Sequence, residues 1–316
     1  MIQQNWPKVA VFGAGAIGCY FGGMLARAGR DVTLIGRRGH VEAINAQGLR
    51  FKSMDFEGVI RVHASVDPAA VRNAQLVLFC VKSSDTGTAA ASIAPYLAPD
   101  TVLLSLQNGV DNIERIRAQL GNEALPGVVY TGVEMSGPGR LTHTGGGKVV
   151  LGEFGRASEQ PKNIAALFNH AGIIASISEN IEAELWSKLV LNCAYNALSA
   201  IGRIYYGPMV AIPEIRKLMT DVVEEVLAVA QEKGIRLPDN MLAATFHLAE
   251  VMPRTTSSTA QDIARARRTE IEHLNGYVAR EGEKLGIATP VNRALNALVK
   301  LMEQANTIRE GRQPRR

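Results

Sequence analysis

The sequence predicts an α/β protein: a doubly wound, largely parallel sheet over residues 1–178, an all-α domain over 179–306, and a basic tail at 307–316. Three observations lead there. The chain has 316 residues, and at roughly 150 residues per domain that length fits two domains better than one. In the first half, short apolar runs alternate with helix-like stretches, the pattern of parallel strands buried on both faces. After about Ser178 the runs stop and helical stretches alone follow.

Lys8-Val-Ala-Val-Phe-Gly13 reads as the first strand and Ala16 to Ala28 as a helix. Gly29 closes that helix, since the residue just past a helix often needs a positive φ. Val9 to Ala26 runs 18 residues without a charge, long enough to suggest a membrane span or a signal peptide. Five of the 18 are glycines and no basic stretch precedes them, so strand, turn and helix is the better reading. With no targeting signal, the expected location is the cytoplasm. Asp31–Gly36, Gln75–Val81 and Thr101–Leu106 are further strands, and the Ala-rich helix Thr88–Ala94 should end at Pro95. Leu49–Ala64 and Leu141–Gly152 read as antiparallel additions. In the second half Glu179–Ile201, Pro213–Lys233, Ser258–Leu285 and Val291–Asn306 read as helices.

Composition removes several function classes. Apolar residues at 47% and charged residues at 20% exclude a disordered or fibrous chain. The formal charge is +4, but the last eight residues, with four arginines against one glutamate, carry +3 of it. The folded body is nearly neutral, which argues against a nucleic-acid face. Cys19, Cys80 and Cys193 stand far apart without metal spacing and read as buried thiols of a reducing compartment. The six histidines are scattered, so no metal site is expected, and no G-x-S-x-G elbow occurs.

The strongest local motif is Gly13-Ala14-Gly15-Ala16-Ile17-Gly18, directly after strand one and opening a helix. The first glycine permits the tight turn and the second lets the backbone approach a pyrophosphate. The third allows close helix–strand packing, which makes this a Rossmann-type dinucleotide site. At the end of strand two, where a NAD site usually has a carboxylate for the ribose 2′-hydroxyl, this chain has Gly36-Arg37-Arg38. A carboxylate would repel a 2′-phosphate and a guanidinium binds it, so the expected cofactor is NADPH/NADP+, with Arg37 nearer the strand end than Arg38. Lys82 and Asn108 lie just past two further strand ends, where this fold places its ligand. Each is equally well read as turn chemistry.

In the helical half, Lys188, Asn192 and Asn196 follow an i, i+4, i+8 spacing on one face of an otherwise apolar helix. Buried amides and a buried lysine need partners. A bound ligand meets that need, and so would a polar network at a domain interface. Ser258-Thr-Ala-Gln261 fits a capping box that starts the next long helix, with Glu270 on that same helix as a ligand-facing or a solvated charge.

Taken together, these motifs resemble the ketopantoate reductase (2-dehydropantoate 2-reductase) family. The resemblance runs from Gly13 to about Glu303 through Arg37, Val81-Lys82 and Gln107-Asn108-Gly109. It continues through Trp186-x-Lys188-x3-Asn192-x3-Asn196, Ser257-Ser258-x2-Gln261-Asp262 and Thr269-Glu270-Ile-x3-Asn275-Gly276. What it implies is NADPH-dependent reduction of a branched 2-oxo acid, 2-dehydropantoate or a close analogue, to the 2-hydroxy acid in pantothenate and coenzyme A biosynthesis. It further implies Lys188 as general acid, and Asn108, Asn192, Asn196 and Ser258 as substrate contacts. Lys82, Asn108, Gly132 and Glu270 would lie by the cofactor. The chain departs from the family's usual Asn-Pro-Leu-Thr-Ala with Asn196-Ala-Leu-Ser-Ala200, and from Ser-Ser-Met with Ser257-Ser258-Thr259. A substrate-facing asparagine of some members is replaced near Tyr206. The expected partner is a small 2-oxo acid, with no nucleic acid and no membrane, and the expected assembly is a homodimer. The alternatives are another β-hydroxyacid-type dehydrogenase of this architecture and a non-catalytic NADP(H)-binding sensor.

Overall fold

The computed structural model describes residues 6–121, 123–155 and 158–309. The chain divides into two compact units, Met1–Ile181 and Glu182–Arg316. The first begins β1 (Val9–Phe12), α1 (Ala16–Arg27), β2 (Val32–Ile35), α2 (Arg38–Gln47), β3 (Leu49–Lys52), β4 (Glu57–Ile60) and β5 (His63–Ser65). It continues with β6 (Leu76–Phe79), α3 (Thr86–Ile93), β7 (Val102–Ser105), α4 (Asn112–Leu120), β8 (Leu125–Gly137), β9 (Arg140–Leu151), α5 (Gln160–His170) and β10 (Ile174–Ile177).

Six parallel strands stand in the order β5-β2-β1-β6-β7-β8. Counted along the chain that order is 3-2-1-4-5-6, the doubly wound arrangement whose strand order reverses between β1 and β6. The apolar runs are buried on both faces, and alternate residues go to different cores. Val9, Val11, Leu76 and Leu78 join Phe21 of α1 and Phe168 of α5. Ala10, Phe12, Val77 and Phe79 join Ile93 of α3 and Ile116 of α4. Gly29 has φ +76°, as a helix terminator requires.

The expected antiparallel additions hold in part. β3 with β4 and β8 with β9 are antiparallel pairs, but β5, which starts inside the Leu49–Ala64 stretch, pairs parallel with β2. The β9 strand also takes β3 and β10 as parallel neighbours. Local alternation marks a strand but not its partner, and here the partner is set by the return of the chain through α2.

The described residues of the second unit form helices and connecting loops without a strand: α6 (Ile181–Gly202), α7 (Tyr206–Val210), α8 (Pro213–Glu232) and α9 (Met241–Val251) precede α10 (Ser258–Ala264), α11 (Asn275–Leu285) and α12 (Pro290–Arg309). The apolar face of α8, with Met219, Val222, Val226 and Val229 fully buried, forms much of its core. The single helix expected over Ser258–Leu285 is instead broken into α10, a 3-10 turn at Ile271–His273, and α11. Ala266 turns left-handed at φ +49°, and Arg267 N–H closes back on the Asp262 carbonyl at 2.8 Å. Tertiary anchors outweigh the helix propensity of the run. Thr269 N–H donates to Glu303 Oε1 at 2.6 Å, and buried Asn275 Nδ2 donates to the Cys193 carbonyl at 3.1 Å. Of the expected tail, Thr307–Arg309 continue α12 and residues 310–316 lie outside the described residues.

No helix among the described residues is long and apolar enough to cross a membrane. Cys19 and Cys193 are buried and Cys80 is half-buried. Burial pushes all three thiols up, Cys19 to about 12, which leaves them poor nucleophiles.

Candidate active site

The glycine turn follows β1 at the point where the strand order reverses. Gly13 has φ +112°, and a Cβ there would stand 2.6 Å from the Cys80 carbonyl carbon and from the Val81 nitrogen. The β6 chain end therefore lies directly against it, and no side chain fits. A Cβ on Gly18 would collide with the Gly13 carbonyl, whereas one on Gly15 meets nothing within 4 Å. The Gly13 and Ala14 N–H groups are spent on the Ile35 carbonyl at 2.9 and 2.8 Å. α1 then starts with no side-chain cap and no acidic residue in its first turn. Ala16, Ile17 and Gly18 thus begin a helix whose orphan amides suit an anion.

Arg37 follows β2 and occupies the cap position of α2. Its exposed guanidinium has no hydrogen bond or ion pair among the described residues, while that of Arg38 pairs with Glu42 at 3.6 Å. Between the two arginines, Arg37 is the uncommitted donor.

Lys82 and Asn108, both half-buried, follow β6 and β7 on the same sheet edge. Beneath them lies a buried polar network that local sequence patterns do not announce. Ser83 Oγ and Asn112 Nδ2 both donate to the Asn108 carbonyl, each at 2.7 Å. Thr86 Oγ1 donates to Asn112 Oδ1 at 2.8 Å. Gln107 Nε2 donates to the Val81 carbonyl at 3.1 Å and to Thr86 Oγ1 at 2.8 Å, and its Oε1 accepts from Ser105. Gln107 is thus committed to the scaffold. Ser83 and Asn112 are 29 positions apart, a link no local spacing reveals.

Gly132 lies on β8, six positions beyond Pro126, the residue level with the end of β7. Register shifts flank it, its carbonyl accepts from Thr144 Oγ1 at 3.1 Å, and a Cβ would come within 2.8 Å of that hydroxyl. A side chain there would have to displace the Thr144 hydroxyl, whereas glycine leaves the backbone open at this point.

In the second unit, α6 carries Lys188, Asn192 and Asn196 along one stripe. Trp186, 2% exposed, packs edge-on against Tyr277 and anchors the helix. Burial draws the Lys188 ammonium down to about 8, and the Glu270 carboxylate pulls it back up. Glu270 is itself only 7% exposed, and sits off any α-helix in the loop that Thr269 ties to Glu303. The Asn196 side chain is 3% exposed and, like that of Asn192, has no hydrogen-bond partner among the described residues.

The expected capping box does not form. Ser257, not Ser258, caps α10: its hydroxyl accepts from Ala260 N–H at 3.0 Å and donates to the Asn196 carbonyl at 3.0 Å. Its own N–H donates to Ser199 Oγ at 3.2 Å. Ser258 is exposed and without a partner among the described residues. Asn275 is structural, bonded to the Cys193 carbonyl and Asn292. No group of three or more metal-ligating side chains occurs among the described residues.

The family models match both units. The model described as Ketopantoate reductase PanE/ApbA matches residues 9–156, and that of its C-terminal domain matches residues 180–303. The chain belongs to the ketopantoate reductase family. It is 33% identical to the 2-dehydropantoate 2-reductase of Pyrococcus horikoshii, over 94% of this chain and 97% of that protein. A solved PanE/ApbA family ketopantoate reductase from Ralstonia eutropha JMP134 is 50% identical with a TM-score of 0.90, covering 95% of this chain and 99% of that one. D-mandelate dehydrogenase, solved with NADH and anilino(oxo)acetate, is 28% identical with a TM-score of 0.90 over 95% and 99%. As a ketopantoate reductase family member the protein is an oxidoreductase that uses a nicotinamide cofactor.

Proposed function

We propose that this protein reduces 2-dehydropantoate, or a close branched 2-oxo acid, to the 2-hydroxy acid with NADPH, and so serves pantothenate and coenzyme A synthesis. One observation carries the reading. A desolvated lysine, opposed by one buried carboxylate, shares a helix face with two asparagines whose amides are unspent.

The first unit fits the dinucleotide: a glycine cradle that a Cβ would fill, an uncapped helix start, and an uncommitted guanidinium for a 2′-phosphate. Bound there, NADPH supplies the hydride. As the ketone carbon is reduced, negative charge develops on its oxygen, and the Lys188 ammonium stabilises that charge and donates the proton. A pKa near 8 suits the task, since the group is charged at neutral pH yet gives up its proton readily. Glu270 holds the ammonium in its charged form. Asn192 and Asn196 donate to the substrate's carboxylate and hydroxyl oxygens, and Ser258 adds a hydroxyl. Lys82 and Asn108 meet the polar atoms of the cofactor, Asn108 also those of the substrate, and Gly132 presents backbone beside the nicotinamide. Exposed Leu298, Leu301 and Ile308 on α12 favour a homodimer.

The test is NADPH consumption, followed by absorbance, with ketopantoate and a panel of branched and aromatic 2-oxo acids. Preference for ketopantoate supports the reading. Preference for an aromatic acid would move the protein to another dehydrogenase, and binding of NADPH without turnover would leave the sensor.

A further inference from the structure

We infer that Asn112 is a positioning residue, which acts on the reduction through Asn108. The inference rests on the function proposed above for its readout. An asparagine side chain offers two N–H donors and an acceptor oxygen, and Asn112 commits all three kinds of bond inside the first unit. Nδ2 donates to the Asn108 carbonyl at 2.7 Å and to Ser83 Oγ at 3.3 Å, and Oδ1 accepts from Thr86 Oγ1 at 2.8 Å. The residue is 3% exposed, Ser83 and Thr86 fully buried, and Gln107 6% exposed.

The Asn108 carbonyl takes two donors, Ser83 Oγ and Asn112 Nδ2, which fills both of its lone pairs. The peptide that leads into Gly109, at φ +91°, is therefore held in one orientation. Since side-chain rotamers follow the backbone, the direction of the Asn108 amide is set from beneath. Ser83, the residue after Lys82, is in the same network, and Arg115 Nη1 donates to its carbonyl at 2.6 Å. The turn after β6 and the loop after β7 are thus one hydrogen-bonded piece, with Asn112 bonded to both. Within such a buried network a missing partner leaves other groups unpaired, so removal of one member is felt by the rest.

A double-mutant cycle with NADPH and ketopantoate tests this, using the full chain. Asn112→Ala should lower kcat/KM by about 10- to 100-fold alone, but by less than about threefold when Asn108→Ala is already present. Its melting-temperature shift should be the same in both backgrounds. Equal losses of kcat/KM in both backgrounds would overturn the inference, because the effect would then not pass through Asn108. Should Asn112→Ala not fold, Ser83→Ala removes the other donor to the same carbonyl. It should show the same dependence on Asn108, and a Ser83→Ala enzyme of unchanged kcat/KM overturns the inference. A wild-type protein that binds NADPH but reduces no 2-oxo acid defeats the proposed function, and the cycle is then read on NADPH dissociation constants. A wild-type protein that does not bind NADPH defeats both.

Discussion

Ser257 donates its hydroxyl to the Asn196 carbonyl at 3.0 Å while capping α10 through Ala260 N–H. Asn196 and the start of α10 are therefore held together by one serine, and the adjacent Ser258 is left free. Ser257→Ala should cost about 1–2 kcal/mol of stability, the worth of a cap plus a buried bond. That is a melting-temperature drop of roughly 2–8 °C. Ser258→Ala should leave melting unchanged and raise KM for the 2-oxo acid by about tenfold, one lost hydrogen bond. The reverse pattern would make Ser258 the structural serine.

Lys188→Ala should lower kcat by about 10²- to 10⁴-fold, the range for a lost general acid, with NADPH affinity little changed. If the ammonium is the proton donor, kcat of the wild type should fall as pH rises through about 8, and that limb should vanish in the variant. Stability moves the other way. The folded pKa lies below the ordinary 10.5, so the unfolded chain holds the extra proton between about 8 and 10.5. Stability therefore rises with pH across that window, and the wild type should gain in melting temperature relative to Lys188→Ala. A stable, fully active Lys188→Ala enzyme would remove the mechanism.

Arg37→Ala should weaken NADPH binding by about 10- to 100-fold, the loss of a charge-assisted bond to phosphate. NADH binding should hardly change. Titration of both cofactors decides, since equal losses would mean that Arg37 does not read the 2′-phosphate.

Gly13→Ala places a Cβ 2.6 Å from the Cys80 carbonyl carbon at φ +112°. Strain of about 1–3 kcal/mol should lower the melting temperature by several degrees. Dinucleotide affinity should fall with it, since the turn and the β6 end must part. Gly15→Ala meets no atom within 4 Å and should leave melting nearly intact while still weakening the nucleotide. Equal melting losses for both variants would refute the steric account.

Light scattering at micromolar concentration should report a dimer. A mass near 34.0 kDa, that of one chain, would show the expectation wrong.

Some of this molecule was legible in its residues. The β1–turn–α1 unit follows from an apolar run and glycines spaced within one turn of chain, where sterics are local. The Lys188, Asn192 and Asn196 stripe follows from helix geometry alone, and Arg37 from its place after β2. The break at Ala266 was not legible, because Ala-Arg-Ala-Arg-Arg favours a helix and only contacts to Glu303 and Cys193 pull the chain away. Neither was the choice of Ser257 over Ser258 as cap, decided by the Asn196 carbonyl 61 positions distant, nor the parallel pairing of β5. The network of Ser83, Thr86, Gln107 and Asn112 belongs here too. Each residue looks like ordinary turn or helix chemistry until burial forces its polar atoms to find one another. Backbone propensity reaches about one helical turn. Buried polar groups must be satisfied wherever the fold brings a partner, and that only the tertiary structure decides.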